Sequence, residues 1–158
     1  MGAIQSSSKE DTGIIDFNKK MYVVIDLYFK SKIDNKKLNF AELKTSVSLK
    51  KQLRDIIMNA FLKENLSVSL SENNLLLISK VDKNNDRIEY LELNAVVEFS
   101  QTSKEENRSI ELKRQKLKLN ILSELFAYTS NKYGIVVSPD TTVIILHNTL
   151  SEIEIYQK

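Results

Sequence analysis

The sequence predicts a mostly α fold built from helix–loop–helix pairs with short strands inside the loops, and three observations predict it. In residues 77–97, Leu77, Ile78 and Val81 sit at helical spacing, and Leu93, Val96 and Val97 resume such a stripe. Between them lies the polar turn Asp82-Lys83-Asn84-Asn85-Asp86, then the lone apolar Ile88, then Glu92. A second segment repeats the layout. Lys37-Leu38-Asn39-Phe40-Ala41-Glu42-Leu43 parallels Arg87-Ile88-Glu89-Tyr90-Leu91-Glu92-Leu93, and Val47 follows the first as Val97 follows the second. Thirdly, Leu49, Leu53, Ile56, Ile57, Ala60 and Phe61 make a helical stripe across residues 48–64.

The polar turn is where chemistry is expected. A hard cation such as calcium takes about six to eight oxygen ligands, and alternate residues of a tight loop supply them. Asp82, Asn84 and Asp86 place oxygens at the first, third and fifth positions, and Glu92 is the closing carboxylate. Ile88 would form the short strand between paired loops.

These residues resemble the EF-hand superfamily of calmodulin, calcineurin B and the neuronal calcium sensors. The resemblance is specific over residues 75–97, moderate over 27–47 and weak beyond 112. The family pattern is D-x-[DN]-x-[DN]-G with the closing Glu at position twelve. Here Arg87 stands where the Gly belongs, and Glu92 falls one position early. The first loop, residues 31–42, carries Ser31, Ile33 and Asn35 at the ligand positions, with Lys36 and Lys37 after them. Ile33 offers no ligand atom and the lysines repel a dication. The resemblance therefore implies degenerate loops, with calcium as a weakly held cofactor at one site or no cofactor at all.

A β-hairpin competes with this reading: residues 75–81 and 87–99 as strands with DKNND as the turn. Against it, Ile88 and Tyr90 alternate in one phase while Leu91, Leu93, Ala95 and Val97 alternate in the other. The wider alternative is an α+β fold of two strand–helix–hairpin units. Residues 22–30, 48–64 and 66–79 form one; residues 93–99, 110–129 and 135–147 form its repeat.

The third segment is fainter. Ser103-Lys104-Glu105-Glu106 reads as a capping box, with Leu117, Ile121, Leu122, Leu125 and Phe126 as the buried face of the helix that follows. Asn131 to Ile135 would centre a third, metal-free loop, with Gly134 and Ile135 echoing the family's Gly and aliphatic. Ser138-Pro139-Asp140-Thr141 reads as a helix start. A hairpin from the β-branched residues on either side competes there. The closing residues 151–158 fit no loop and read as a short helix or strand. The expected organisation is a tail over residues 1–13, a paired EF-hand-like lobe over 14–100, and a second helical lobe over 101–158.

Composition bounds the function. The 158 residues carry a net charge of only +2 with the charges interleaved, which does not suggest a nucleic-acid binder. There is no Cys, so thiol catalysis, disulfides and zinc ribbons are excluded. The single His, His147, has no metal-ligand spacing around it, and with three Gly there is no phosphate loop. Lys113, Arg114, Lys116 and Lys118 read as a solvated helix face, with a partner's acidic surface as the alternative. Met1-Gly2-Ala3-Ile4-Gln5-Ser6 fits the N-myristoylation pattern, placing acylation at Gly2 and reversible membrane contact at the N-terminus. The resemblance implies a non-enzymatic adaptor or light-chain-like subunit, cytoplasmic or cytoskeletal. Its partner would be an amphipathic helix of another protein within a larger complex. The α+β alternative implies a structural subunit of a multi-protein particle, such as a phage-like neck or ring component.

Overall fold

The structure is a computed structural model that describes residues 20–33, 37–101, 107–130 and 134–147. Gly2, the N-terminal tail, the capping-box residues 103–106 and the closing residues 151–158 lie outside them.

The first described strand explains itself. Lys20–Leu27 (β1) is a short apolar run, and such a run suits a strand buried in the middle of a sheet. Its odd-numbered residues Met21, Val23, Ile25 and Leu27 face the core. After a break at Tyr28 the chain continues as Phe29–Ser31 (β2). Two helices follow. Phe40–Thr45 (α1) is capped by Asn39, whose side chain accepts from the Glu42 N–H at 3.1 Å. Val47–Leu62 (α2) is capped by Ser46, which accepts from the Leu49 N–H at 3.1 Å. Asn65, with φ of 61°, turns the chain out of α2 into the next strand, and Asn tolerates this left-handed conformation better than most residues.

Leu66–Ser69 (β3) and Leu75–Val81 (β4) pair with successive stretches of one edge of Glu89–Gln101 (β5), with a helical turn at Glu72–Asn74 between them. The other edge of β5 pairs antiparallel with β1, from Lys20 opposite Glu98 to Leu27 opposite Leu91. Asn107–Ala127 (α3) follows, then Thr129–Ser130 (β6), Ile135–Val137 (β7) and Thr142–His147 (β8). β8 pairs antiparallel with β1, while β7 lies between β2 and β6 in a small second sheet.

Counting β1–β2, β3–β4 and β7–β8 each as one interrupted strand, the chain runs βαββαβ. The main sheet has the spatial order second, third, first, fourth strand. That is the ferredoxin-like, split βαβ arrangement. The mostly α expectation is thus corrected: among the described residues helix and strand are nearly equal, in three helices and two antiparallel sheets. The strand–helix–hairpin alternative lies closer to what is observed. Its second unit spans β5, α3 and β7–β8, but neither hairpin forms: β3 and β4 pair with β5, β7 with β2 and β6, and β8 with β1. Strands from residues 14–100 and from residues 101–158 meet in one sheet.

Each wrong element has a physical cause. Residues 91–99 place Leu91, Leu93, Ala95, Val97 and Phe99 on one face in strict alternation, which is a strand period. The heptapeptides at 37 and 87 share residue types but not structure. Asn39 caps a helix in the first, while the second enters β5 and finds β1 and β4 on either side. Ser138-Pro139-Asp140 does not start a helix. It forms the corner between β7 and β8, with Ser138 Oγ accepting from the Asp140 N–H at 3.2 Å.

Helices α2 and α3 cover the core face of the sheet. Leu49, Leu53, Ile57, Ala60 and Phe61 of α2 and Leu117, Ile121 and Leu125 of α3 bury against β1, β5 and β8. Phe61 is fully buried and meets Phe99 at 6.2 Å between ring centroids. Phe61→Ala should cost about 3–5 kcal/mol, the usual toll of deleting a buried aromatic. Urea unfolding monitored by circular dichroism will read this as a lowered midpoint.

Candidate functional site

Three of the residues expected to hold a metal, Asp82, Asn84 and Asp86, lie in a hairpin turn. β4 and β5 are joined by residues 82–88, and the Asp82 N–H donates to the Ile88 carbonyl at 2.9 Å to close the loop. One Asp82 carboxylate oxygen accepts from the Asn84 N–H at 2.8 Å, and the Asn85 side chain accepts from the Arg87 N–H at 3.1 Å. These are Asx turns, in which a short polar side chain stands in for a backbone acceptor. The side-chain oxygens of Asp82 and Asn85 thus serve the local backbone. Asp86 is exposed at the tip.

The second Asp82 oxygen accepts from the Tyr28 hydroxyl at 2.8 Å. Tyr28 sits at the break between β1 and β2. Its N–H donates to Thr141 Oγ1 at 3.0 Å and its carbonyl accepts from the Ser138 N–H at 2.7 Å. Its ring stacks on Tyr90 at 4.6 Å, inclined by 16°. The two phases seen around Tyr90 are therefore the two faces of one strand, with Tyr90 buried on the outer face beside Tyr28. Hydrogen bonds from the Asn84 N–H, and then from Tyr28, hold the Asp82 carboxyl below the usual carboxylate range. Burial, and then the bond to Asp82, push the Tyr28 phenol up.

Glu92 closes no loop. It lies on β5 opposite Asp26 of β1 and Ile78 of β4. Lys80 Nζ donates to its Oε2 at 3.0 Å and Asn94 Nδ2 to its Oε1 at 3.1 Å, while the buried Tyr22 hydroxyl donates to Asn94 Oδ1. The bond to Glu92 raises the Lys80 pKa. Asp26 has the least comfortable place. Its Oδ1 is buried with no hydrogen-bond partner among the described residues. Burial, and then the neighbouring Glu92, raise its pKa.

The structure brings Asp82, Asn84 and Asp86 into one turn and sets Glu92 in a strand network beside it. Among the described residues, no group of three or more His, Cys, Asp or Glu is arranged to hold a metal ion. Asp26, Tyr28, Lys80 and Tyr90 were not singled out by the sequence reading. The only signal for Asp26 was an acid inside the apolar run Tyr22-Val23-Val24-Ile25-Asp26-Leu27.

A second candidate surface lies on α3. The expected buried face of this helix divides in two. Leu117, Ile121 and Leu125 are buried, but Phe126 is 48% exposed, joining Leu112 and Leu119 at 66% each, with Leu122 half-buried between them. At about 100° per residue, Leu117 and Ile121 each lie about 160° from Leu119, on opposite sides. One apolar stripe is buried and the other points away from the body of the protein. The polar residues between the stripes tie α3 down. Lys113 Nζ donates to the Glu64 carbonyl at 2.7 Å, and Arg114 donates to the Ile145 carbonyl of β8 at 3.4 Å. Asn120 Nδ2 donates to Glu64 Oε2 at 3.0 Å, and Lys63 pairs with Glu124 at 3.5 Å.

No family model matches this chain, and no curated protein matches it. Among the described residues, no helix is long and apolar enough to cross a membrane.

Asp26→Asn should stabilise the fold at neutral pH by about 0.5 kcal/mol, by removing one of two like charges set directly opposite on neighbouring strands. Because burial raises the folded pKa of Asp26, the wild type loses stability as pH rises from the ordinary carboxylate value of about 3.9 through that raised value. The advantage of the variant should therefore open over that window and vanish below it, as denaturation midpoints against pH will show. Tyr28→Phe should act in the opposite sense. The depressed pKa of Asp82 means that its bonds contribute above about pH 3.9 and are lost as pH falls through the depressed value. The variant should be less stable at pH 7, and its deficit should shrink at pH 3.

Proposed function

We propose that this chain is a non-enzymatic binding subunit that docks an amphipathic helix of a partner protein along the outer face of α3. The observation that carries this reading is the pair of opposed apolar stripes on one helix. A surface helix ordinarily has one apolar stripe, facing its core. Here the core is served by Leu117, Ile121 and Leu125, with Leu122 packed partly against it, and the exposed Leu112, Leu119 and Phe126 have no use within the described fold. These exposed members recur every seven residues, the repeat of a seam matched to a single second helix.

Energetics make the docking weak. Burying the three exposed side chains is worth at most roughly 4.5–9 kcal/mol at about 1.5–3 kcal/mol each. Association itself costs about 4–15 kcal/mol. The two ranges overlap, so this contact adds little affinity by itself, which suits a subunit held through several contacts in a larger complex.

The test uses a designed helical peptide of four turns with leucines at the two seam positions of each heptad. Binding read by fluorescence anisotropy, with NMR shift changes confined to residues of α3, is the expected result. Leu119→Gln should abolish it without lowering the melting temperature, since Leu119 is exposed. Shift changes centred on the outer sheet face, or no binding at millimolar peptide, overturn the reading.

A further inference from the structure

The charges beside the outer stripe indicate what kind of helix it takes. Lys116 and Lys118 flank Leu119, one on each side of the seam, and both are exposed. Lys113 and Arg114 point elsewhere: Lys113 donates to the Glu64 carbonyl and Arg114 to the Ile145 carbonyl. Lys116 and Lys118 make no ion pair with any described residue, and Glu124 of the same helix is already paired with Lys63. Among the described side chains, the seam thus has an apolar centre with an exposed lysine on each border.

Resting on the docking reading above, we infer that the partner helix is acidic, carrying Glu or Asp on both sides of its own apolar stripe. Residues flanking a helical seam set partner choice through interhelical charge pairs. A second copy of this chain fits poorly, because an antiparallel pair centred on Leu119 sets Lys116 and Lys118 against the same two lysines. An anionic membrane is also disfavoured. A helix lying on lipid needs a wide apolar face, whereas the most exposed members here, Leu112, Leu119 and Phe126, form a narrow line. The stretch from Leu112 to Phe126 is about 21 Å long at about 1.5 Å per residue, so the partner helix spans four turns.

Three peptides test this, identical in their leucine seam and carrying Glu, Gln or Lys on both flanks. Anisotropy titrations at low salt and in 0.5 M salt are compared, with sedimentation of the chain alone and with vesicles of anionic lipid. The Glu peptide should bind roughly fivefold tighter than the Gln peptide, as two exposed charge pairs allow, and the Lys peptide weakest of the three. The order should collapse in high salt. The double variant Lys116→Gln, Lys118→Gln should lose the preference yet hold the Gln peptide as the wild type does. Equal binding of all three peptides overturns the acidic partner and leaves the docking surface standing. No peptide binding overturns both. In that case sedimentation as a dimer would assign the stripe to a second copy, and co-sedimentation with vesicles would assign it to lipid.

Discussion

Every other element takes its place from the pairing of β1 with β5. β1 is hydrogen-bonded on both edges, to β5 on one side and β8 on the other, and it is buried along almost its whole length. A strand held on both edges cannot shift register by one residue without turning Met21, Val23, Ile25 and Leu27 away from the helices. That fixes the core face of the sheet, and with it the face on which α2 and α3 pack. It also fixes which side chains stand on the outer face, including the opposed pair Asp26 and Glu92.

The break at Tyr28 is the second constraint. A straight first strand would carry one sheet; the interruption lets the chain leave β8 and join β7 in another. Ser138 and Thr141 hold the break from one side through backbone and hydroxyl bonds, and Asp82 and Tyr90 hold it from the other. The turn over residues 82–88 is therefore tied to tertiary structure as well as to its own Asx turns.

The sequence showed where the helices α2 and α3 lie and where the polar turn after Val81 falls, because apolar stripes and runs of turn residues are local signals. The Leu49-Leu53-Ile57 stripe is written within a single helix. It did not show the sheet, for two reasons. Leu77, Ile78 and Val81 satisfy a helical spacing and a strand equally over so short a span, and only the pairing with β5 decides. The turn residues Asp82, Asn84 and Asp86 suit a metal loop and an Asx-turn hairpin alike, because both need short oxygen-bearing side chains that fold back on the backbone. The strand period of residues 91–99 was visible, but Tyr90 broke its phase. Its burial on the outer face depends on Tyr28, more than sixty residues away, which no local window contains.

The same limit applied to α3, and its cause is informative. A stripe reading groups Leu117, Ile121, Leu122, Leu125 and Phe126 as one wide face, yet the fold divides them between inside and outside. The width of the sheet sets how much of the helix can be covered: Leu117, Ile121 and Leu125 fill the space above β1 and β8, and no described element reaches round to Leu112 or Leu119. A lone exposed leucine needs no explanation, but a line of them along four turns does. Polar residues at 112, 119 and 126 would serve this fold equally well, because the cap residues, the core stripe and the ties from Lys113, Arg114 and Asn120 would all remain. These exposed side chains are thus not required by the described fold. In the proposed docking it is contact with a partner that accounts for them, and the lysines beside them give that contact a sign.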